Sequence, residues 1–168
     1  VRSGFKDIHN VVTEEPLPGV LRNLAGARVA KWHALPPKIS YPIQSELADL
    51  DPDVTFWAEA LEPADGTKML ANYSAAPFDG LAAITEKSHG NGKVIYCGIY
   101  PRFAQAVALM CHLAKLETIS ILDIPAGLTV FRRGEKLLAM NFTEEPIAFS
   151  TKSGEYSVAA RDFSIITE

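Results

Sequence analysis

The run "EKSHGNGKVIYCGIYP", Glu86 to Pro101, is the first place where residue types suggest chemistry, because glycines followed by a lysine cradle phosphate in nucleotide enzymes. The phosphate-binding form needs four residues between its glycines and a Ser or Thr after the lysine to hold magnesium. Val94 follows Lys93 here and continues into another strand, so no helix N-terminus is offered to a phosphate. Asn91-Gly92 between two alternating segments is instead a hairpin signal, since both residues tolerate positive φ. The sequence predicts a turn.

Cys97, beside Gly98 near a strand end, is a candidate nucleophile. A nucleophile elbow wants a glycine two residues earlier and a helix directly after it. Ile95 occupies the first position and Pro101 postpones the helix, so a buried core thiol is the weightier reading. Asp49, Asp51 and Asp53 in "DLDPD" mimic the opening of a calcium loop. The loop's glycine and closing Glu are absent, and a solvated turn is expected. His9, His33, His89 and His112 are scattered without metal-ligand spacing, so no metal site is expected. Asn72-Tyr73-Ser74 and Asn141-Phe142-Thr143 match the glycosylation pattern, which matters only in a secreted protein. The most loop-like polar cluster is "SGFKDIHN", with Arg2, Lys6, Asp7, His9 and Asn10 close together as a candidate ligand or interface loop. Its plainer reading is a well-capped surface connection.

These residues need elements to hold them. "PLPGVLRNLAG" (Pro16–Gly26) reads as a short helix stopped by Gly26, with Leu21 and Leu24 spaced for one face. "ARVAKWHAL", "VTFWAEAL" and "TKMLANY" read as strands, the last two joined by the turn "EPADG", while "ISYPIQSELADLDPD" shows no period. "LAAITEKS" and "KVIYCGIY" flank the glycines. In the second, Ile95, Cys97 and Ile99 oppose Val94, Tyr96 and Gly98, which predicts a strand covered on both faces. "RFAQAVALMCHLAKLE" (Arg102–Glu117) is the strongest helix. Gln105, Ala108, His112 and Lys115 form its predicted exposed stripe, leaving Phe103, Val107, Met110 and Leu113 to the buried face. A two-sided strand followed by such a helix predicts α/β layers. Beyond the connector "ISILDIPAG", the short strands "LTVFRR", "KLLAMNF", "IAFST", "YSVAA" and "FSIIT" predict a small antiparallel sandwich or half-barrel.

At 168 residues there is room for one ordinary domain plus a small one, and a net charge of −4 argues against a nucleic-acid surface. No apolar run approaches the roughly 20 residues of a membrane span. The two cysteines are too few for a disulfide scaffold and suit a reducing compartment, so a cytoplasmic location is expected. The chain opens on Val1 as though already inside a domain, which leaves a missing N-terminus and any signal peptide open.

The order of "RSGFKDIHNVV", "PLPGVLRNLAG", "FWAEAL", "MLANYSAAPFDGLAAITEKSHGNGKVIYCGIY" and "LLAMNFTEEP" resembles the carboxyl-terminal part of the bacterial β-galactosidases of glycoside hydrolase family 42. The resemblance covers essentially the whole sequence. It implies an α/β fold: a partial flavodoxin- or amidotransferase-like layered domain over residues 1–120, lacking its first strand or strands, through which subunits trimerise. A small antiparallel β-sandwich domain is expected over residues 125–168. Ile8 stands where the family usually has Glu after Asp7, a departure within the polar loop. The family's catalysis is retaining and uses two carboxylates roughly 5–5.5 Å apart, both from a barrel that itself needs roughly 200–250 residues. Glu46, Glu59, Glu62, Glu86 and Glu117 match no catalytic motif.

The resemblance therefore implies a non-catalytic, cofactor-free segment of a homotrimeric enzyme of carbohydrate metabolism. The enzyme would hydrolyse terminal non-reducing β-D-galactosides, and the substrate would be held by the missing barrel. No nucleic-acid or membrane partner is expected. Two other readings compete: a free-standing amidotransferase-like enzyme with Cys97 as nucleophile, and a carbohydrate-binding module stacking sugars on Trp32, Trp57 or Tyr73.

Overall fold

A computed structural model describes residues 3–116 and 122–167. Arg2, Glu117 and the first residues of "ISILDIPAG" lie outside them. The chain divides into two compact units, Val1–Leu113 and Ala114–Glu168.

In the first unit, the proline-led segment makes a 3-10 turn at Gly19–Leu21 and a short helix, α1 (Arg22–Ala25), which Gly26 stops in the left-handed conformation at φ 65°. Gly19 and Ala25 are buried, whereas Leu21 and Leu24 stay partly exposed, so the inward residues are the small ones. Then follow β1 (Ala27–Ala34), β2 (Tyr41–Ser45), β3 (Asp53–Val54), β4 (Trp57–Pro63), β5 (Thr67–Tyr73), β6 (Ala82–His89) and β7 (Gly92–Cys97). They form a seven-stranded sheet in the order β1-β4-β6-β5-β2-β3, with β7 also paired to β6. The unperiodic "ISYPIQSELADLDPD" holds β2 and β3. Its strands are short, and Pro42 removes one ladder donor, so alternation never became visible.

Helix α2 (Phe103–Leu116) follows the sheet. Ile95 and Cys97 pack with Ile84, Ile99 and Leu109 of α2, whereas Tyr96 packs with Leu61, Ala82 and Ala25 of α1. The two-sided strand is therefore present, with one helix on each face. Every pairing among the described strands is nevertheless antiparallel. The described residues of this unit thus form a mostly antiparallel sheet with few helices. The chain beyond β7 wedges between neighbours: Gly98 donates to the Ala83 carbonyl at 2.9 Å and accepts from the Glu59 amide at 2.7 Å. A Cβ there would lie 2.9 Å from both the Ala83 and the Glu59 carbonyl oxygens, so only glycine fits.

Two details correct the sequence reading. The β6–β7 hairpin pairs His89 with Gly92, leaving Gly90-Asn91 as its loop, one residue earlier than expected. Gly90 alone carries positive φ, at 57°, as a II′ turn requires of its first residue. Helix α2 is also turned inside out. Gln105 is 0% exposed and Ala108 is buried, whereas Phe103 is 86% and Met110 63% exposed. The cause is hydrogen bonding. Gln105 Nε2 donates to the carbonyls of Asp51 and Asp53 at 3.0 and 3.1 Å, and its Oε1 accepts from the Arg102 amide at 2.9 Å. Three satisfied bonds make a polar residue the inward one. His112, placed on the solvent stripe by its spacing, faces Glu86 at 3.2 Å instead, and only Lys115 of that stripe is exposed.

The second unit contains β8 (Leu128–Arg133), β9 (Lys136–Asn141), β10 (Ile147–Thr151), β11 (Gly154–Val158) and β12 (Phe163–Thr167). A three-stranded sheet, β12-β9-β8, and the β10-β11 pair share one apolar cluster built on Leu128, Leu137, Ala139, Phe149, Val158 and Ile166. All pairings are antiparallel. Each of the five strands falls on a run the sequence marked.

Candidate functional site

Residues 3–13 form a small hairpin anchored by a bridge between Lys6 and Val12. Asp7 organises its tip: Oδ1 accepts the His9 amide at 2.8 Å and the Val11 amide at 2.9 Å. Lys6 Nζ donates to Asn10 Oδ1 at 2.8 Å, and Asn10 adopts φ 64°. Lys6, Asp7, His9 and Asn10 are thus brought together, but their polar atoms are engaged mainly with the hairpin itself. Arg2 lies outside the described residues. The tip presents Ile8, 94% exposed, flanked by exposed Val11 and Val12. At the base, a Cβ on Gly4 would sit 1.8 Å from the Pro18 carbonyl oxygen, so the hairpin is pressed against the Pro18-Gly19 turn.

The most buried carboxylate is one the sequence reading passed over as a strand residue. Glu59 is fully enclosed; its Oε1 accepts from Trp57 Nε1 at 3.0 Å and its Oε2 from the Tyr96 hydroxyl at 3.0 Å. The Tyr73 hydroxyl donates to the Glu59 carbonyl at 3.1 Å. Burial, reinforced by neighbouring negative charge, pushes both phenols well above their ordinary range. The signal was the Trp-x-Glu spacing, which puts both side chains on one face of a strand. A carboxylate closed off from solvent cannot meet a sugar. Glu86 is likewise committed, to Lys93 Nζ at 2.7 Å and to His112.

Burial pushes the Cys97 thiol up, and its Sγ donates only a weak bond to the Ile99 carbonyl at 3.5 Å. His33 and His112 turn to Tyr41 and Glu86. A raised thiol is the reverse of an activated nucleophile. The "DLDPD" turn is held by Arg102, whose guanidinium lies 2.5 Å from Asp51 Oδ2, and by Asp51 Oδ1 accepting the Asp53 amide at 3.0 Å. Trp32 and Trp57 stack on each other with centroids 4.8 Å apart, and Tyr73 is buried, so the three do not form a sugar platform. Asn141 is buried with its amide on the carbonyls of Glu145, Val158 and Ala159, which closes it to glycosylation.

Several large apolar side chains are accessible as well. Phe56 sits at the centre of a γ-turn: the Trp57 amide donates to the Thr55 carbonyl at 2.7 Å, and Phe56 adopts φ 65°. This positive-φ turn is rare and strained for a residue with a side chain. Its ring, 62% exposed, meets the Tyr100 ring edge-on at 5.9 Å. Tyr100 leads into α2, whose outward residues Phe103, Val107 and Met110 are spaced i, i+4, i+7 along one stripe.

Comparison with known proteins places this arrangement in context. Residues 1–120 match the protein family described as β-galactosidase trimerisation domain. The β-galactosidase of Haloferax lucentense is 30% identical over 172 residues, 98% of this chain and 26% of that enzyme. The crystal structure of a β-galactosidase from Bacillus circulans sp. alkalophilus superposes with a TM-score of 0.79 at 25% identity, covering 96% of this chain and 27% of that one. The β-galactosidase of Halorubrum lacusprofundi superposes with a TM-score of 0.76 at 27% identity, covering 99% of this chain and 26% of that one. The chain thus spans about a quarter of the length of the relatives it matches.

Proposed function

The chain belongs to the β-galactosidase trimerisation domain family of glycoside hydrolase family 42, and on that premise we propose that it joins the subunits of a longer, homotrimeric enzyme without itself breaking a glycosidic bond. The observation that carries the proposal is the outward apolar face of α2, which lies within the span matched to that family. Residues 1–120 would act as the trimerisation domain and residues 125–168 as an appended β domain. The flavodoxin-like layering belongs to the same proposal, with the antiparallel sheet as one part of such a domain and the remainder in the longer polypeptide. The hairpin carrying Lys6, Asp7, His9 and Asn10, with Arg2 ahead of it, is proposed as an interface loop.

Hydrolysis of terminal β-D-galactosides would belong to a barrel elsewhere in the enzyme. Retaining chemistry needs two carboxylates facing one substrate, roughly 5–5.5 Å apart. Glu59 is sealed under two aromatic donors, and Glu86 is held by Lys93 and His112. No helix among the described residues is long and apolar enough to cross a membrane. A cytoplasmic location, in keeping with the free thiols Cys97 and Cys111, is part of the proposal.

The test is hydrolysis of a chromogenic β-galactoside by the 168-residue chain, measured beside the longer polypeptide. The longer protein should turn over and the chain should not. Turnover by the chain, lost on replacing one of its carboxylates, would overturn the proposal.

A further inference from the structure

We infer that the outer face of the β12-β9-β8 sheet docks on an apolar surface edged with carboxylates, in the part of the same polypeptide outside the 168 residues. This rests on the reading of the chain as one segment of a longer enzyme and does not depend on trimerisation. Three observations carry it. The first is the face itself. One side of the sheet is covered, since Leu128, Leu137, Ala139 and Ile166 cluster with Phe149 and Val158 of β10 and β11. The other side of such a sheet is commonly polar. Here the register aligns Phe131, Leu138 and Ile165 in one row across the three strands, with Met140 and Phe163 in the next row of that face. Phe131, Phe163 and Ile165 are each more than half exposed. A contiguous apolar patch marks a contact surface, unlike apolar residues scattered singly.

The second observation is charge. At the hairpin end of the face Arg133 lies directly opposite Lys136, and like charges so placed destabilise a strand pair. Neither is ion-paired among the described residues. With Arg132 they border a cleft of about 490 Å³ floored by Phe131, Leu138 and Ile165. A complementary surface is apolar at its centre and carries carboxylates where it meets the cations.

The third observation concerns the occupant. The unit Ala114–Glu168 is shorter than the roughly 60 residues at which a lone domain is already marginal. Cys97 and Cys111 both precede it, so no disulfide staples it. Such a unit gains from permanent cover, which a covalently linked surface supplies at high effective concentration in every state of assembly. The match to the trimerisation family stops at residue 120, ahead of this face, so it does not assign the face to self-association. The chain spans about a quarter of its relatives' length, and the remainder of the polypeptide is the surface that meets these conditions.

The experiment uses the longer polypeptide that carries this segment. A carbodiimide condenses the Lys136 amine with a carboxylate in contact with it, taking up the water lost as a urea, and peptide mass identifies the partner. The expected product links Lys136 to an Asp or Glu outside the 168 residues and keeps the mass of one subunit. Links only to carboxylates within the 168 residues, a product of two subunits, or no link at Lys136 overturns the inference.

The variant Ile165→Cys gives a second readout by alkylation, with modified sites resolved by peptide mass. The introduced thiol should react at least 10-fold more slowly in the native protein than in the urea-unfolded one, in the assembly and in dissociated subunits alike. Adding the charge reversals Arg133→Glu and Lys136→Glu should remove most of that protection. A thiol as reactive as in the unfolded chain, or one protected only in the assembly, overturns the inference. So does protection that the charge reversals leave unchanged. A monomer that gives the same cross-link and the same protection upholds this inference while the trimerisation reading fails.

Discussion

Each unit of the chain is fastened by a buried amide, Gln105 in the first and Asn141 in the second, and the two differ in reach. Asn141 gathers what is near. Its Oδ1 accepts both the amide and the hydroxyl of Thr143 at 2.8 Å, and its Nδ2 reaches the Glu145 carbonyl at 2.7 Å and those of Val158 and Ala159 at 3.2 and 3.0 Å. Gln105 spans far more sequence, tying a helix to carbonyls more than 50 residues earlier. Part of the Asn141 network is written as a compact run, "NFTEEP", which Val158 and Ala159 join from 17 and 18 residues further on. The long-range one is written as a lone Gln in an apolar helix, and a lone Gln reads as a solvent-facing residue. What the difference teaches is that one satisfied amide can reverse which face of a helix is inside. Here that reversal turns the apolar stripe of Phe103, Val107 and Met110 outward.

The largest effect that would sharpen this comparison is expected from Gln105→Ala. It strands the Asp51 carbonyl and the Arg102 amide, while the exposed Asp53 keeps a donor in Arg102 Nη2 at 3.4 Å, and each unsatisfied buried group costs ~1–3 kcal/mol. Urea unfolding should register a loss of about 3 kcal/mol or more, together with weakened docking of α2. A change near zero would mean that Gln105 does not orient the helix. Asn141→Ala should cost less, about 2 kcal/mol. Two of its acceptors, the carbonyls of Glu145 and Ala159, belong to exposed residues that water can reach once the amide is gone. If Asn141→Ala instead proved the costlier change, the contrast in reach would not govern stability.

A smaller, pH-dependent effect separates α2's second polar anchor from its first. Burial alone would raise the Glu86 carboxyl, but hydrogen bonds and charge from Lys93 and His112 outweigh it and hold the group below its ordinary value of 4.5. A carboxyl lowered by folding contributes stability that is present above its unfolded value and lost as pH falls through its folded value. The Glu86 contribution should therefore fade as the solution is acidified below about 4.5, and Glu86→Gln should flatten that acid limb. An unchanged acid limb in Glu86→Gln would show that the Lys93 and His112 contacts do not stabilise the ionised form.

Much of the fold was legible because burial leaves periodic traces. The apolar alternation marked β1 and β4 to β7, and turn residues marked the five strands of the second unit. Where the trace was short or broken the reading lost resolution, as at β2, where Pro42 interrupts the ladder, and at β3, which is two residues long. The β6–β7 turn slipped by one residue because Gly90, Asn91 and Gly92 are all turn formers, and only the register of Ser88 with Lys93 separates them.

The site was less legible, for physical reasons. The polar loop of Lys6, Asp7, His9 and Asn10 was visible as a cluster, but composition does not say that its side chains bond mainly within the hairpin. Phe56 left no trace at all, because nothing in a phenylalanine announces positive φ. It is imposed by the Thr55–Trp57 hydrogen bond and by the Leu35 amide, which donates to the Phe56 carbonyl at 2.8 Å.

Counting subunits by native mass spectrometry of the longer polypeptide tests the scaffold role most directly. Assembly through this segment predicts a particle of three identical chains. A particle of one chain, at concentrations where that polypeptide is folded, would contradict it.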